Sequence, residues 1–471
     1  MKKNALIPLL LFAAVFCVTQ LVQPYTLVRQ CNEGLFLMTP DWFGEVFRGK
    51  SPVSNLVAGF LVQFYDVPVV GPLIVAALIT LIYCCIDRIL GSRGLPFHNL
   101  ISLLTVLVCW VAEASGPSNV PMVRLALIAL ICALLSLLLS RRDAKPSRRW
   151  ELPVAVGLIL VAMAFVSFDG KVRRHEATAR VQVSARRHNW DDVLKTASPE
   201  RCTVYPELMP YAFMALGEKD ALGDNLFRYP VKGPEDLGME KDNTLEGSLF
   251  NSILNECLGV PNEAIHHIFQ YASRVPHGMS HLALYQLARY NAQAGNFTLA
   301  RKYAGILTHN PRARASAEAF LERIASATDA ADTLGHSSAS SLVVTSSPLF
   351  NLAQMSASGI NSFHAANRYL CYQLLQGDLE GFRNSFEAAD WGGKRIPRHY
   401  QEALLLAGAD PSVLDMDADR LRRFSDFMMA MTAQDASAMQ NAARGTYWAY
   451  YLLIKDKDEA EESPDASYPA S

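Results

Sequence analysis

The chain has 471 residues, of which 51% are apolar and only 19% charged, and its formal net charge is −2. That balance excludes a nucleic-acid-binding polycation and a disordered polyanion, and with a positive mean hydropathy it places part of the chain in lipid. Six of the nine cysteines (Cys17, Cys31, Cys84, Cys85, Cys109, Cys132) lie in or beside the hydrophobic half, and Cys202, Cys257 and Cys371 are too scattered for a disulfide framework or a CxxC metal pattern.

Lys2 and Lys3 precede an apolar run from Ala5 to Val22 with no small-residue cleavage site after it, which reads as an uncleaved first span. Cys31 to Lys50 mixes Leu35, Phe36, Met38, Trp42, Phe43, Val46 and Phe47 with Asp41, Glu45 and Arg48, the pattern of a helix lying on a membrane surface. Val53 to Tyr65 is too short to cross, so residues 31–65 form an interfacial or re-entrant segment. Val69 to Ile86, His98 to Val111 and Val120 to Leu139 supply three further spans. The last begins after the basic cluster Arg141, Arg142, Lys145, Arg148 and Arg149, and runs through the eighteen residues from Glu151 to Phe168 before Asp169 stops it. At about 1.5 Å per residue that run reaches roughly 27 Å, close to the thickness of a bilayer's hydrocarbon core.

Five spans put the termini on opposite sides. Lys2, Lys3, Arg88, Arg93 and the five basic residues at 141–149 fall on one side, and Arg29, Arg48, Lys50 and Arg124 on the other. The excess of short-loop cations belongs inside, so the amino terminus is expected in the cytoplasm and the carboxy-terminal half outside it. Lys171, Arg173, Arg174, Arg180, Arg186 and Arg187 oppose this count, although long domains translocate largely regardless of charge.

From Val172 onward the apolar residues recur with helical period and no alternating strand pattern. Ser280 to Pro311 carries Leu284, Leu287 and Ala288 before Gly295-Asn296-Phe297, then Ala300, Tyr303, Ala304 and Leu307. This arrangement resembles the tetratricopeptide repeat, in which small and large residues interlock two antiparallel helices across a Gly turn. Ser362 to Trp391 repeats it around Gly377-Asp378-Leu379, and Asn189-Trp190 marks a weaker third copy. The fold class is therefore all-α: a multi-pass transmembrane helical half (1–168), an irregular tetratricopeptide-like helical-repeat domain (169–455) with a Ser-rich break at 332–347, and a disordered acidic tail (456–471).

Gly34-Leu-Phe-Leu-Met-Thr-Pro-Asp-Trp-Phe43, then Gly59-Phe-Leu-Val-Gln-Phe-Tyr65 and Gly71-Pro-Leu-Ile74, with Thr446-Tyr-Trp-Ala-Tyr-Tyr451 near the end, resemble an uncharacterised family of Bacteroidota membrane proteins. Those proteins join a multi-pass half to a tetratricopeptide-like half. The resemblance implies a fold and a cell-envelope setting, and no activity.

Two readings of function follow. The leading one is an inner-membrane-anchored, non-enzymatic scaffold whose helical repeats hold a protein or peptide partner outside the cytoplasm, with the lipid bilayer as its other partner and no nucleic acid, cofactor or metal. The alternative is a membrane glycosyltransferase-like enzyme of envelope glycan assembly. In such enzymes an acidic residue in the loop after the first span serves as base, a place taken here by Asp41, with Glu45 one helical turn on. Against it, five spans are fewer than such enzymes usually have, and both carboxylates also fit the solvated face of an interfacial helix. His277 and His281 have the i, i+4 spacing of a metal pair, but Pro276 and Gly278 put His277 in a turn and nothing completes the set.

Overall fold

A computed structural model describes residues 6–114, 116, 120–139, 150–238, 244–275, 278–334, 352–355, 362–389, 394–414 and 416–462. Among the described residues the regular structure is helical throughout, with no strand. Contacts group the chain into two compact units: Met1–Val183 with Thr244–Glu246 and Ile265–Ser337, and Ser184–Asn243 with Gly247–Ala264 and Ser338–Ser471. This grouping does not follow the division at 168/169 drawn from hydropathy, because Ile265–Ser337 packs with the apolar half.

The first unit opens with α1 (Leu6–Val22), which stops before Pro24. The chain then bends by 82° into α2 (Pro24–Glu33), a helix whose Arg29, Gln30 and Glu33 make it amphipathic, so it does not prolong the apolar rod. Its first turn is held from a distance. The Glu176 carboxylate accepts from Tyr25 N, Thr26 N and Thr26 Oγ1 at 2.9, 2.8 and 2.7 Å, satisfying amides that a helix start leaves open. Burial pushes the Glu176 carboxyl up, and these three bonds work against it.

After the extended residues 34–39 come α3 (Pro40–Arg48) and α4 (Pro52–Val62), and then four apolar helices, α5 (Val70–Ser92), α6 (His98–Ala114), α7 (Val120–Leu139) and α8 (Glu151–Phe168). α5 sits at the centre and packs on α1, α6 and α7, while α8 closes on α1 and α6. Small residues at the contacts, among them Ala14, Ala76, Ala126 and Ala155, let the helix axes approach. The faces turned away from this core are apolar too: Leu138, Val161 and Phe168 are 83%, 69% and 72% exposed. Three of these helices, Val70–Ser92, Val120–Leu138 and Glu151–Phe168, are long and apolar enough to cross a membrane, whereas α1 passes only jointly with α2 as a bent pair. α6 covers the expected His98–Val111 and ends at Ala114, but at 17 residues it stays among the shorter apolar helices, and the basic cluster at 141–149 lies outside the described residues.

The first unit also holds most of the helix Gly170–Arg186, the end of the helix Pro261–Arg274 and a helical hairpin, His281–Gln293 and Phe297–Leu307, followed by the helix Arg314–Leu334. Ser280 caps the first helix by accepting from Ala283 N, and Leu284, Leu287, Ala288 and Tyr290 are buried. The turn places Gly295 at φ 76°, where a Cβ meets no atom but strains the backbone. Gly295→Val should therefore cost about 1–2 kcal/mol, all of it conformational, and a lower unfolding midpoint for the purified variant would show it.

Near the start of the second unit Asn189 caps Trp190–Thr196 by accepting from Asp192 N. A second hairpin, Ser362–Gln376 and Leu379–Ala388, turns at Gly377 (φ 75°), with Asp378 Oδ1 accepting from Gly381 N. Around it the aromatic closing motif locks down the final helix, Tyr447–Glu462. Tyr447 and Tyr450 donate their hydroxyls to Leu374 O and Leu375 O, and Trp448 Nε1 donates to Glu402 O. That helix runs into the stretch expected to be a disordered tail, of which 463–471 lie outside the described residues. Most of the Ser-rich break lies outside them as well, and its first three residues end the helix Arg314–Leu334.

Candidate functional site

The segment that builds the site is the extended stretch between α2 and α3. An extended backbone points the polar groups of alternate residues to one edge, and here that edge is fastened to the hairpin. Gly34 O accepts from His281 N at 2.9 Å, Phe36 O from Asn310 Nδ2 at 2.8 Å, and Met38 N donates to His309 O at 2.9 Å. Asn310, buried, also uses its Oδ1 to accept from Arg312 N and Ala313 N, capping the helix that follows. Arg312 then reaches Asp66 at 3.4 Å. Leu35 packs into an apolar cluster of Leu284, Leu307, Ala313 and Ala317.

α3 begins where Thr39 accepts from Trp42 N at 3.3 Å, with Pro40 in the first turn and Asp41 beside the positive end of the helix. One turn later on the same face stands Glu45. Behind Trp42, which lines the site, Phe36 meets Trp42 and Phe60 edge to face at 4.9 and 5.5 Å between ring centres.

These elements enclose a cavity of about 390 Å³. Its polar lining includes Gln30, Glu33, Asp41 and Glu45. Its walls include Leu37, Trp42, Val62 and, from the hairpin, Leu284, Tyr303 and Ile306. That volume lies within the range of small-molecule sites, and the mixture of apolar wall and few polar groups is characteristic of them. Asp41 and Glu45, singled out in the sequence, thus both face one cavity. Sequence reasoning missed Glu33. Its side chain is 17% exposed and lies 3.6 Å from Arg29. Burial, opposed by the Arg29 charge and reinforced by Glu246, pushes its carboxyl up to about 7.

A carboxyl raised in the folded state contributes its stability in the protonated form. That contribution is complete below about pH 4.5 and is lost as pH rises through about 7. A shift of this size corresponds to on the order of 3 kcal/mol. Glu33→Gln should accordingly raise the unfolding midpoint relative to wild type at pH 8, with the difference shrinking at pH 4, as differential scanning fluorimetry at the two pH values would record.

The other sequence candidates do not join this site as side-chain ligands. His281 contributes its backbone N–H to Gly34, and His277 lies outside the described residues. Among the described residues no group of three or more His, Cys, Asp and Glu side chains is placed to hold a metal ion. No curated protein and no solved structure matches the chain. One family model does, over residues 2–172 and 125–454, matches that together take in the apolar helices, the cavity and both hairpins. The chain belongs to that family, DUF6057, a family of unknown function.

Proposed function

We propose that this is a multi-pass membrane protein of the cell envelope that binds an amphiphilic ligand in the cavity beside α3, and that Asp41 acts there as a general base in a glycosyl-transfer type of reaction. The single observation that carries this reading is the convergence of Asp41, Glu45 and Glu33 on one apolar-walled cavity of about 390 Å³, bordered by helices whose outer faces are apolar. An acyl or isoprenoid chain fits the walls, and a head rich in hydroxyl groups fits the carboxylates. Asp41 lies exposed at the cavity, where it can reach a hydroxyl of a bound head group. The excess of short-loop cations at 2–3, 88–93 and 141–149 supports an inner-membrane orientation with a cytoplasmic amino terminus and an extracytoplasmic carboxy-terminal half.

A second reading, the partner-binding scaffold, is favoured by the second unit. Its hairpin 362–388 has the Gly turn and buried small-large pattern of a tetratricopeptide-like pair, and such pairs present surfaces for a peptide. A photoactivatable alkyl glycoside added to the full chain in nanodiscs separates the two. On the cavity reading, crosslinks concentrate on peptides containing Leu37, Trp42 and Tyr303. Labelling spread over the outer faces of α7 and α8 with none at these residues would remove the cavity as a ligand site.

A further inference from the structure

Resting on the cavity as a ligand site, we infer that its ligand is an amphiphile whose head group carries a protonated amine. Among the described residues lining the cavity the charged side chains are Glu33, Asp41 and Glu45, with no lysine, arginine or histidine. Arg29, which does not line the space, is engaged with Glu33 at 3.6 Å. Asp41 and Glu45, with no counter-charge among the described residues lining the cavity and low-dielectric apolar walls beside them, set up a negative potential that attracts a cation and repels a phosphate or carboxylate head. Trp42 and Tyr303 line the same space, and aromatic faces hold an ammonium group as well as they hold a sugar ring. The apolar walls continue to Val120, the first residue of α7, so the chain of the ligand runs along the bundle while its head meets the carboxylates. The chemical class is thus a single-chain or lipid-linked amine, an amino sugar on a lipid carrier included.

The test is competition against the photoactivatable alkyl glycoside, read on the cavity peptides of the full chain in zwitterionic nanodiscs at pH 7.5. The competitors are dodecylamine, dodecyl glucoside and dodecyl phosphate. Dodecylamine should halve cavity labelling at a concentration at least tenfold below that of dodecyl phosphate, with dodecyl glucoside between them. The double variant Asp41→Asn, Glu45→Gln should bind the glycoside probe more weakly and, at probe concentrations that restore labelling, should lose most of that ordering. Dodecyl phosphate competing as well as dodecylamine, or an ordering unchanged in the double variant, would overturn the amine assignment and leave the cavity as a ligand site. Failure of the probe to label the cavity at all in the wild-type chain would remove the cavity reading, and the amine with it.

Discussion

Asp41→Asn is expected to reduce the activity of the protein by about 10²–10⁴-fold while leaving its abundance and unfolding midpoint unchanged. Asparagine keeps the shape of the side chain and its place near the positive end of α3, yet cannot accept a proton. The loss of a favourable charge at the helix start costs well under 1 kcal/mol. Because Asp41 is exposed at the cavity and makes no buried bond that the change would break, folding and chemistry are separable at this position. The measurement is a comparison of envelope lipid and glycan extracts from cells carrying the wild-type chain, the variant and a deletion. A variant profile matching the deletion at normal protein level supports the base assignment. A profile matching wild type would leave the cavity as a binding site without Asp41 chemistry and would favour the scaffold.

Glu402→Ala should cost about 3–5 kcal/mol, the range found when one partner of a buried charged cluster is removed. The Glu402 side chain is fully buried and accepts from Arg398 Nε at 2.9 Å, His399 Nδ1 at 2.8 Å and Tyr447 N at 2.8 Å. Truncation would leave His399, itself buried, and the Tyr447 amide without that acceptor. The same residue's carbonyl receives Trp448, so the closing helix loses its main anchor when the surrounding backbone relaxes. Burial alone would raise this carboxyl, but the bonds from His399, Tyr447 and Arg398 outweigh it and hold the carboxyl below its usual range. The stability it contributes is then complete above about pH 4.5 and is lost as pH falls through its lowered value. Urea unfolding of the full chain at pH 7, followed by the fluorescence of the tryptophans, would show the effect, and the gap between variant and wild type should narrow below pH 4. An unchanged midpoint at pH 7 would mean that the closing motif is not fastened through Glu402.

Much of the helical layout was legible in the residues. Uninterrupted apolar runs mark α1, α5, α7 and α8, and Gly295 and Gly377 mark turns because only glycine takes positive φ there without strain. Asp41 and Glu45 were legible as a pair because i, i+4 spacing is local. Glu33 was not, since six extended residues separate it from α3 and no periodicity relates the two helices. The hairpin's share of the cavity was also hidden. Its small-large pattern read as repeat packing, whereas Leu284, Tyr303 and Ile306 turn toward residues almost 250 positions earlier, and nothing in local sequence encodes such a pairing. The grouping of 265–337 with the apolar helices has the same cause: two backbone bonds and one from the Asn310 side chain to residues 34–38, which hydropathy cannot register.

The fastening of that extended segment has a consequence for how the protein is made. Phe36 waits for a partner 274 residues further along the chain. At 5–20 residues per second, the segment leaves the ribosome roughly 14–55 s before Asn310 does. Throughout that interval residues 34–38 have no hairpin to join, and Trp42 lacks the Leu284, Tyr303 and Ile306 that share its cavity. The site is therefore assembled last, by the arrival of a segment synthesised after all the apolar helices are complete. A ribosome stalled well past residue 168 but before residue 281 leaves a nascent chain with its apolar helices complete and its ligand site open.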